Sequence, residues 1–500
     1  MRTVRMTWLC LLIVCPGSLV AAEAVIGWRG DGRGNFPDAH PPTKFSASEN
    51  LAWKAEIGQG CGAAIIVGKR LFVQAAPNAL VCLDKATGKE LWRRERHAGN
   101  LDPQSPAAQL DAAMEEIGAF CRLAQKSRKT DKGTPEYAAL ETQVKQTGER
   151  LSGRLAQVPG AKTNGGGIHL ICMTPCSDGR SVVAVFPTGI AVAYDVEGKL
   201  LWSASVRPPA APPKEHGQGK WKTVPPNLST CPVFTEEGIL VVVWGPVTAG
   251  IEAASGKILW RAYGGISHCS PVVGRIGGAS YVARGDDDIL RVRDGLKVHD
   301  DPRPVSHNCS VSPVFADGVF HWVTHAVKVA AGDPPRSQVL WAWNVETLRE
   351  VARGGSGFPY DGAVAFLRNV DFTSPVVVGG KLVYYGWHRV NVFDPTTGNV
   401  LGQYADGKVT VKPLSGGVTK NWAYGGMVHA GDRLILVHDN GLVKIFPING
   451  TFAPMQACAI PDDVYAQPAC DGSALYIRSV NALWRFDNPA ATAPKASDGK

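Results

Sequence analysis

The chain has 500 residues, 45% of them hydrophobic and 19% charged, with a formal net charge of +8. That is enough apolar material for a large core, which excludes a disordered chain. The charge is small and spread without a dense Lys/Arg tract outside one segment, which argues against nucleic-acid binding.

Arg2 and Arg5 precede a short apolar run, Trp8–Val14, and the small residues Val20-Ala21-Ala22 follow. This reads as a signal peptide over 1–22, with a mature start at Glu23. The apolar run is too short to span a bilayer, and no later stretch qualifies as a transmembrane helix. Val14 before Cys15 disfavours lipidation. The mature chain is expected to be exported, periplasmic or extracellular, soluble and monomeric. Loss of Arg2 and Arg5 leaves a net charge of +6.

Fifty-six glycines and 35 prolines suit many tight turns between short strands. The first such group runs Ala63–Val67, a Gly68-Lys69 turn, Arg70–Ala75, Leu80–Leu83, a "TGK" turn and Glu90–Arg94. A small residue, Pro, two apolar residues, a Gly-containing turn and a second apolar run then recur. Examples are "TPCSDGRSVVAVF" (174–186), "CPVFTEEGILVVV" (231–243), "SPVFADGVFHWV" (312–323) and "SPVVVGGKLVYYG" (374–386). "DKATGKELW" (84–92) recurs as "DVEGKLLW", "EAASGKILW" and a worn "DPTTGNVLG". Eight candidate units of four strands predict an all-β, eight-bladed β-propeller over residues 23–500.

The last unit, Tyr465–Phe486, has three strands, while "NLAWKAEI" (50–57) is a strand with no unit before it. A propeller left open would expose two sheet edges. Leu51–Ile57 is therefore expected to close the final blade as its outer strand. Trp53, Trp92, Trp202 and Trp260 share one phase on outer strands and are expected to dock neighbouring blades.

Residues 98–162 depart from the pattern. Ala107–Lys129 and Glu136–Val158 place apolar residues at helical spacing, and "KGTPEY" offers Thr134 as N-cap and Pro135 at the first helical position. The segment predicts a helical hairpin between the first two blades. Its local basic charge reads as a solvated face or as a partner-docking arm.

The pattern A/V-x-D-x-x-x-G-K-x-x-W resembles the tryptophan-docking repeat of the quinoprotein, or PQQ-like, β-propellers. "WRGDGRGNFP" (28–37) before "ENLAWK" is similar to the opening of exported bacterial members. The resemblance covers residues 28–95 and 164–486. It implies the fold, and it spans dehydrogenases and assembly scaffolds alike. A dehydrogenase of this type needs a clamped quinone, a calcium ion and a carboxylate base. The vicinal Cys-Cys lid of many family dehydrogenases is missing here, so PQQ and calcium lack that support.

Ligand sites are expected at the channel mouth, where inner strands begin. Cys61, Cys172, Cys231, His268, Cys269, His307 and Cys309 precede or occupy those strand starts. Three readings stay open. They are disulfides between neighbouring blades (Cys172 with Cys231, Cys269 with Cys309), buried thiols as packing groups, and a soft-metal or redox site. Cys458 and Cys470 flank a short loop and suggest a local disulfide. Asp371, Trp387 and Trp422 are further mouth candidates. His429 reads as a solvent-facing turn residue, and Asp286-Asp287-Asp288 as an exposed acidic turn. The expected function is a non-catalytic binding or scaffold module with a protein or small-molecule partner at a propeller face. A PQQ-dependent dehydrogenase or a thiol/metal redox protein is the alternative.

Overall fold

The architecture was analysed in a computed structural model. It describes residues 26–101, 106–155, 173–207, 230–245, 247–263, 269–284, 289–299, 311–325, 338–344, 349–355, 373–386, 388–396, 400–406 and 426–489. The signal-peptide segment lies outside them.

Short β-rich runs separated by Gly turns fold here as antiparallel meanders. The first is Ile65–Val67, Arg70–Ala75, Ala79–Asp84 and Glu90–Glu95, paired in that order. Its two middle strands are buried almost throughout, and the outer one exposes four of its six residues. Continuous apolar runs such as "LFVQA" and "ALVCL" therefore read as sheets covered on both faces. The chain is an all-β propeller built from such units.

Among the described residues the strands make seven four-stranded sheets and one five-stranded sheet. The expectation of eight alike four-stranded blades is corrected at one point. The sheet that starts at Gly426–Ala430 takes in Asn35–Phe36 as a fifth, parallel strand on its inner edge. Leu51–Glu56 pairs antiparallel with Ala482–Asp487, as the outer strand of the sheet containing Ala469–Asp471 and Ala474–Arg478.

Apolar clusters form between adjacent sheets. Leu80 and Phe72 of the first meet Val182 and Phe186 of the second, whose other face meets Leu240 and Val242 of the third. Ala474 and Leu483 of the final sheet meet Leu71 and Val81 of the first, so last and first share a core. Burying about 25 cal/mol per Å² of such surface is the main force holding the blades together.

The tryptophans sit at these seams. In seven sheets the outer strand carries a one-residue register shift. The extra residue is turned outward, as at Leu91, Leu201, Leu259 and Leu401. The indoles of Trp53, Trp92, Trp202 and Trp260 then lie on the hairpin turn of the next sheet. Their Nε1 atoms donate to Lys85 O, Val196 O, Ala253 O and Val292 O at 3.2, 3.2, 2.7 and 2.7 Å.

The helical insertion is α1 (Pro106–Lys129) and α2 (Pro135–Leu155). Thr134 Oγ1 accepts from Tyr137 N at 3.1 Å, capping α2 with Pro135 in its first turn. Ala113, Met114, Ile117, Leu140 and Leu151 are buried. The hairpin is tied to the propeller through Gln125, which donates to Asp463 at 3.1 Å, and through Lys129, 3.4 Å from Asp462.

Candidate functional site: the hub and the cleft under the insertion

The inner strands start with a residue followed by Pro: Thr174, Cys231, Ser270, Ser312, Ser374 and Gln467. Proline lacks an N–H and is tolerated at a strand start on a sheet edge. The residue before it has an N–H with no sheet partner, and the neighbouring blade's side chain accepts it. Ala63 N donates to Thr174 Oγ1 at 2.9 Å, Ser270 N to Ser312 Oγ at 2.9 Å, and Ser312 N to Ser374 Oγ at 3.0 Å. The Cys231 sulfur takes the same place, bonded to the Thr174 backbone and to the Thr174 and Ser270 side chains. Burial still pushes this thiol's pKa up, because those bonds do not offset the lost solvation. The small residue in the repeat is thus a side-chain girdle that stitches blade to blade around the hub.

Of the predicted mouth residues, Cys61 is partly exposed four residues before the first inner strand, and Cys269 is buried beside Ser270. Cys172, His268, His307, Cys309, Asp371, Trp387 and Trp422 lie outside the described residues, as do Asp286–Asp288. Among the described residues no group of three or more His, Cys, Asp or Glu is placed to hold a metal ion.

Two readings are corrected. Cys458 and Cys470 are not bonded to each other; the Cys458 sulfur reaches Thr43 O at 3.6 Å. Cys458 lies on an outermost strand and Cys470 on the innermost strand of the next sheet. That is about three strand spacings, roughly 14 Å, well beyond disulfide reach. His429 is no solvent-facing turn residue. It sits half-buried on an inner strand opposite Asn35, with Nε2 2.7 Å from Gly431 O.

The hub itself is entered by the chain's own N-terminal segment. Ile26 bridges to Ser177, and a two-residue hairpin between Gly27 and Gly30 lifts Trp28 and Arg29 among the inner strands. Trp28 packs with Cys231, Val272 and Phe315, and its Nε1 donates to Gln467 Oε1 at 2.8 Å. Arg29, in the left-handed region at φ 55°, sends Nη2 to Met427 O at 3.1 Å and Ser374 O at 3.4 Å. Asn35 Nδ2 then donates to Val377 O at 3.1 Å. Sequence reasoning passed over this plug because "WRGDGRGN" has no periodicity; its only signal was a run of glycines.

These described hub residues do not fit a quinone with calcium. Trp28 and Arg29 fill the level where inner strands begin, and the charge presented there is a guanidinium, which repels a divalent cation.

A buried polar knot joins two neighbouring blades. Lys444 Nζ contacts Asp406 Oδ2 and lies 3.0 Å from Tyr385 OH, which donates to the same carboxylate at 2.7 Å. Desolvation pushes the Asp406 carboxyl up. Bonds from His388, Lys444 and Tyr385 outweigh it and hold the carboxyl well below its usual range.

A concavity lies between α1 and the first blade. It is a cleft of about 520 Å³ walled by Gln59 and Pro77 on one side and Met114, Glu116, Ala119 and Arg122 on the other. Gln59 is 8% exposed, and its Oε1 meets no donor among the described residues. Glu116 gives Oε1 to Arg154 at 2.8 Å, while its buried Oε2 meets none among them.

Radial four-stranded sheets locked by docked tryptophans define a PQQ-like repeat propeller. The chain belongs to the family described as outer membrane protein assembly factor BamB, whose model matches residues 43–129 and 187–453, more than half the chain. This is the PQQ-like repeat family expected from the sequence. No curated protein matches the chain by sequence. Solved structures similar to it include BamB from Moraxella catarrhalis, at 10% identity over 88% of this chain and 97% of that one, with a TM-score of 0.49. Quinohemoprotein alcohol dehydrogenase from Comamonas testosteroni is also similar, at 10% identity over 92% of this chain and 80% of that one, with a TM-score of 0.47. No helix among the described residues is long and apolar enough to cross a membrane.

Proposed function

We propose that the protein is an exported binding module whose recognition site is the cleft between α1 and the first blade. The observation that carries this reading is a cleft of about 520 Å³ walled by the helical insertion on one side and the first blade on the other. It sets an apolar wall of Met114, Ala119 and Pro77 beside the charged side chains of Glu116 and Arg122. Apolar surface with a few polar groups suits an extended peptide segment of a partner protein. The family's description as an assembly factor supports a scaffold role. The ring is read as eight-bladed, with the five-stranded sheet counted as one blade. Its four antiparallel strands follow the same inner-to-outer order as the others, which supports this count.

The test is photo-crosslinking from position 119 in the exporting cell's envelope fraction, compared with position 238 on a distant turn. A discrete adduct at 119 alone, lost when Met114→Trp fills the cleft, is expected. An adduct that persists in folded Met114→Trp protein, or equal labelling at both positions, removes the reading.

A further inference from the structure

α1 lies across the propeller as a bar fixed at both ends. On its N-terminal side the chain leaves the first blade after Glu95, and Arg96 N donates to Asn78 O at 3.1 Å. On its C-terminal side Gln125 donates to Asp463 at 3.1 Å, and Lys129 lies 3.4 Å from Asp462. Met114, Gly118, Arg122, Gln125 and Lys129 follow one another at steps of three or four residues, so they share one face of the helix. That face looks onto the propeller, and between its anchored ends it opens into the cleft.

The charges along this face are answered unevenly. Lys129 meets two carboxylates of the propeller, Asp462 and, at 3.8 Å, Asp463. Glu116 lies 2.8 Å from Arg154 of α2, which neutralises it. Arg122 is exposed at the cleft wall. One helical turn to either side of it stand Gly118, Ala119, Gln125 and Lys126, none of them acidic. The cleft therefore offers an accessible guanidinium beside the apolar wall of Met114, Ala119 and Pro77. A guanidinium grips a carboxylate with two parallel N–H donors, and partial enclosure strengthens such a pair over one in open water.

We propose that the cleft selects an acidic peptide segment. An Asp or Glu side chain of the partner pairs with Arg122, while an apolar side chain two residues away lies on Met114, Ala119 and Pro77. Alternate side chains of an extended strand share a face, so one segment presents both groups. Because α1 is anchored at both ends, the segment passes under it and continues on each side. The carboxylate therefore belongs to a side chain and not to a chain terminus. This assignment rests on the reading of the cleft as a recognition site and gives that site its chemical preference.

Short fluorescent peptides, capped at both ends, test it by anisotropy on the purified protein. Each carries a leucine and, two residues on, aspartate, asparagine or lysine. The aspartate peptide should bind about three- to tenfold tighter than the asparagine peptide, as a partly exposed charged pair allows. The gap should shrink as salt is raised. Arg122→Gln should erase it, and Arg122→Glu should turn the preference to the lysine peptide. The wild-type comparison decides even if a variant fails to fold. A gain confined to an asparagine peptide with a free C-terminal carboxylate overturns the side-chain assignment. A wild type that binds the aspartate and asparagine peptides alike overturns the proposal; a crosslinked adduct still formed at position 119 then leaves the recognition site standing. A preference for aspartate with no discrete adduct at 119 does the reverse: it removes the envelope partner and keeps the acid-selective cleft.

Discussion

The Trp92 indole lies where a side chain on Gly198 would begin: a Cβ there would stand 2.9 Å from the ring. The same relation links Trp53 to Gly88 at 2.6 Å, Trp202 to Gly256 at 2.7 Å and Trp260 to Gly295 at 2.4 Å. The glycine of each of these turns and the tryptophan one blade earlier are two halves of a single contact. Gly198 also has φ 87°, which L residues avoid.

Gly198→Ala should therefore cost more than a backbone effect alone. Positive φ in Ala costs about 1–2 kcal/mol, and displacing the indole adds roughly 1–3 kcal/mol. Gly238→Ala has a similar φ of 72° but open space around it, so it should show only the first part. Urea melts of both variants check this; equal losses would refute the contact's share.

Truncating the other half is a larger change. Trp92 is 8% exposed and packs on Phe72 and Tyr194. Trp92→Ala should lose about 3–5 kcal/mol in denaturant melts, and a loss under about 1 kcal/mol would contradict docking.

Cys231 should behave as a girdle residue rather than as a reactive thiol. Cys231→Ser keeps an acceptor for the Thr174 backbone and should fold with near wild-type stability. Cys231→Val removes that acceptor and should lose about 1–3 kcal/mol. The raised thiol pKa further predicts slow alkylation by iodoacetamide in the folded state, measured by mass spectrometry.

Lys444→Met leaves Asp406 buried without its cation and should destabilise by about 3–5 kcal/mol at neutral pH. The pH dependence has a definite sign. Asp406 has a depressed folded pKa, so its contribution is present above the unfolded carboxylate value of about 3.9. It is lost as pH falls below that value toward the folded pKa. Denaturant melts from pH 6 to pH 2.5 should show this loss in the wild type and a shallower one in Lys444→Met.

Much of the fold was legible because each blade repeats its own local code. Short apolar runs, Gly turns and the Trp phase recur in register, so the helical insertion stood out by contrast. The girdle was half legible. "SP" was seen as a repeat, but the bond from Ser312 N to Ser374 Oγ joins residues 62 apart, and no local pattern announces it. Cys231 was weighed as a disulfide partner, a buried packing thiol or a metal ligand; it is a buried free thiol, and its position in the repeat already equated it with serine. Lys444 and Asp406 are 38 residues apart on different blades, and only a lysine inside the strand "LVKIF" hinted at a buried ion. The plug depends on a hairpin of two residues and a left-handed arginine, for which composition gives no rule.

The antiparallel pair between Leu51–Glu56 and Ala482–Asp487 also fixes an order of events. During synthesis, this early strand waits for its partner, more than 400 residues later. Until then the nascent chain carries an unsatisfied strand edge at its beginning and an incomplete sheet at its growing end, the situation most prone to mispairing between molecules. Ring closure is thus a late, long-range step. The plug at Trp28 and Arg29 lies on the N-terminal side of that strand, so it too can seat only when the inner strands of the later blades exist. A chain of this design has a built-in wait, and in a cell it would benefit from anything that shields residues 26–56 until the last blade emerges.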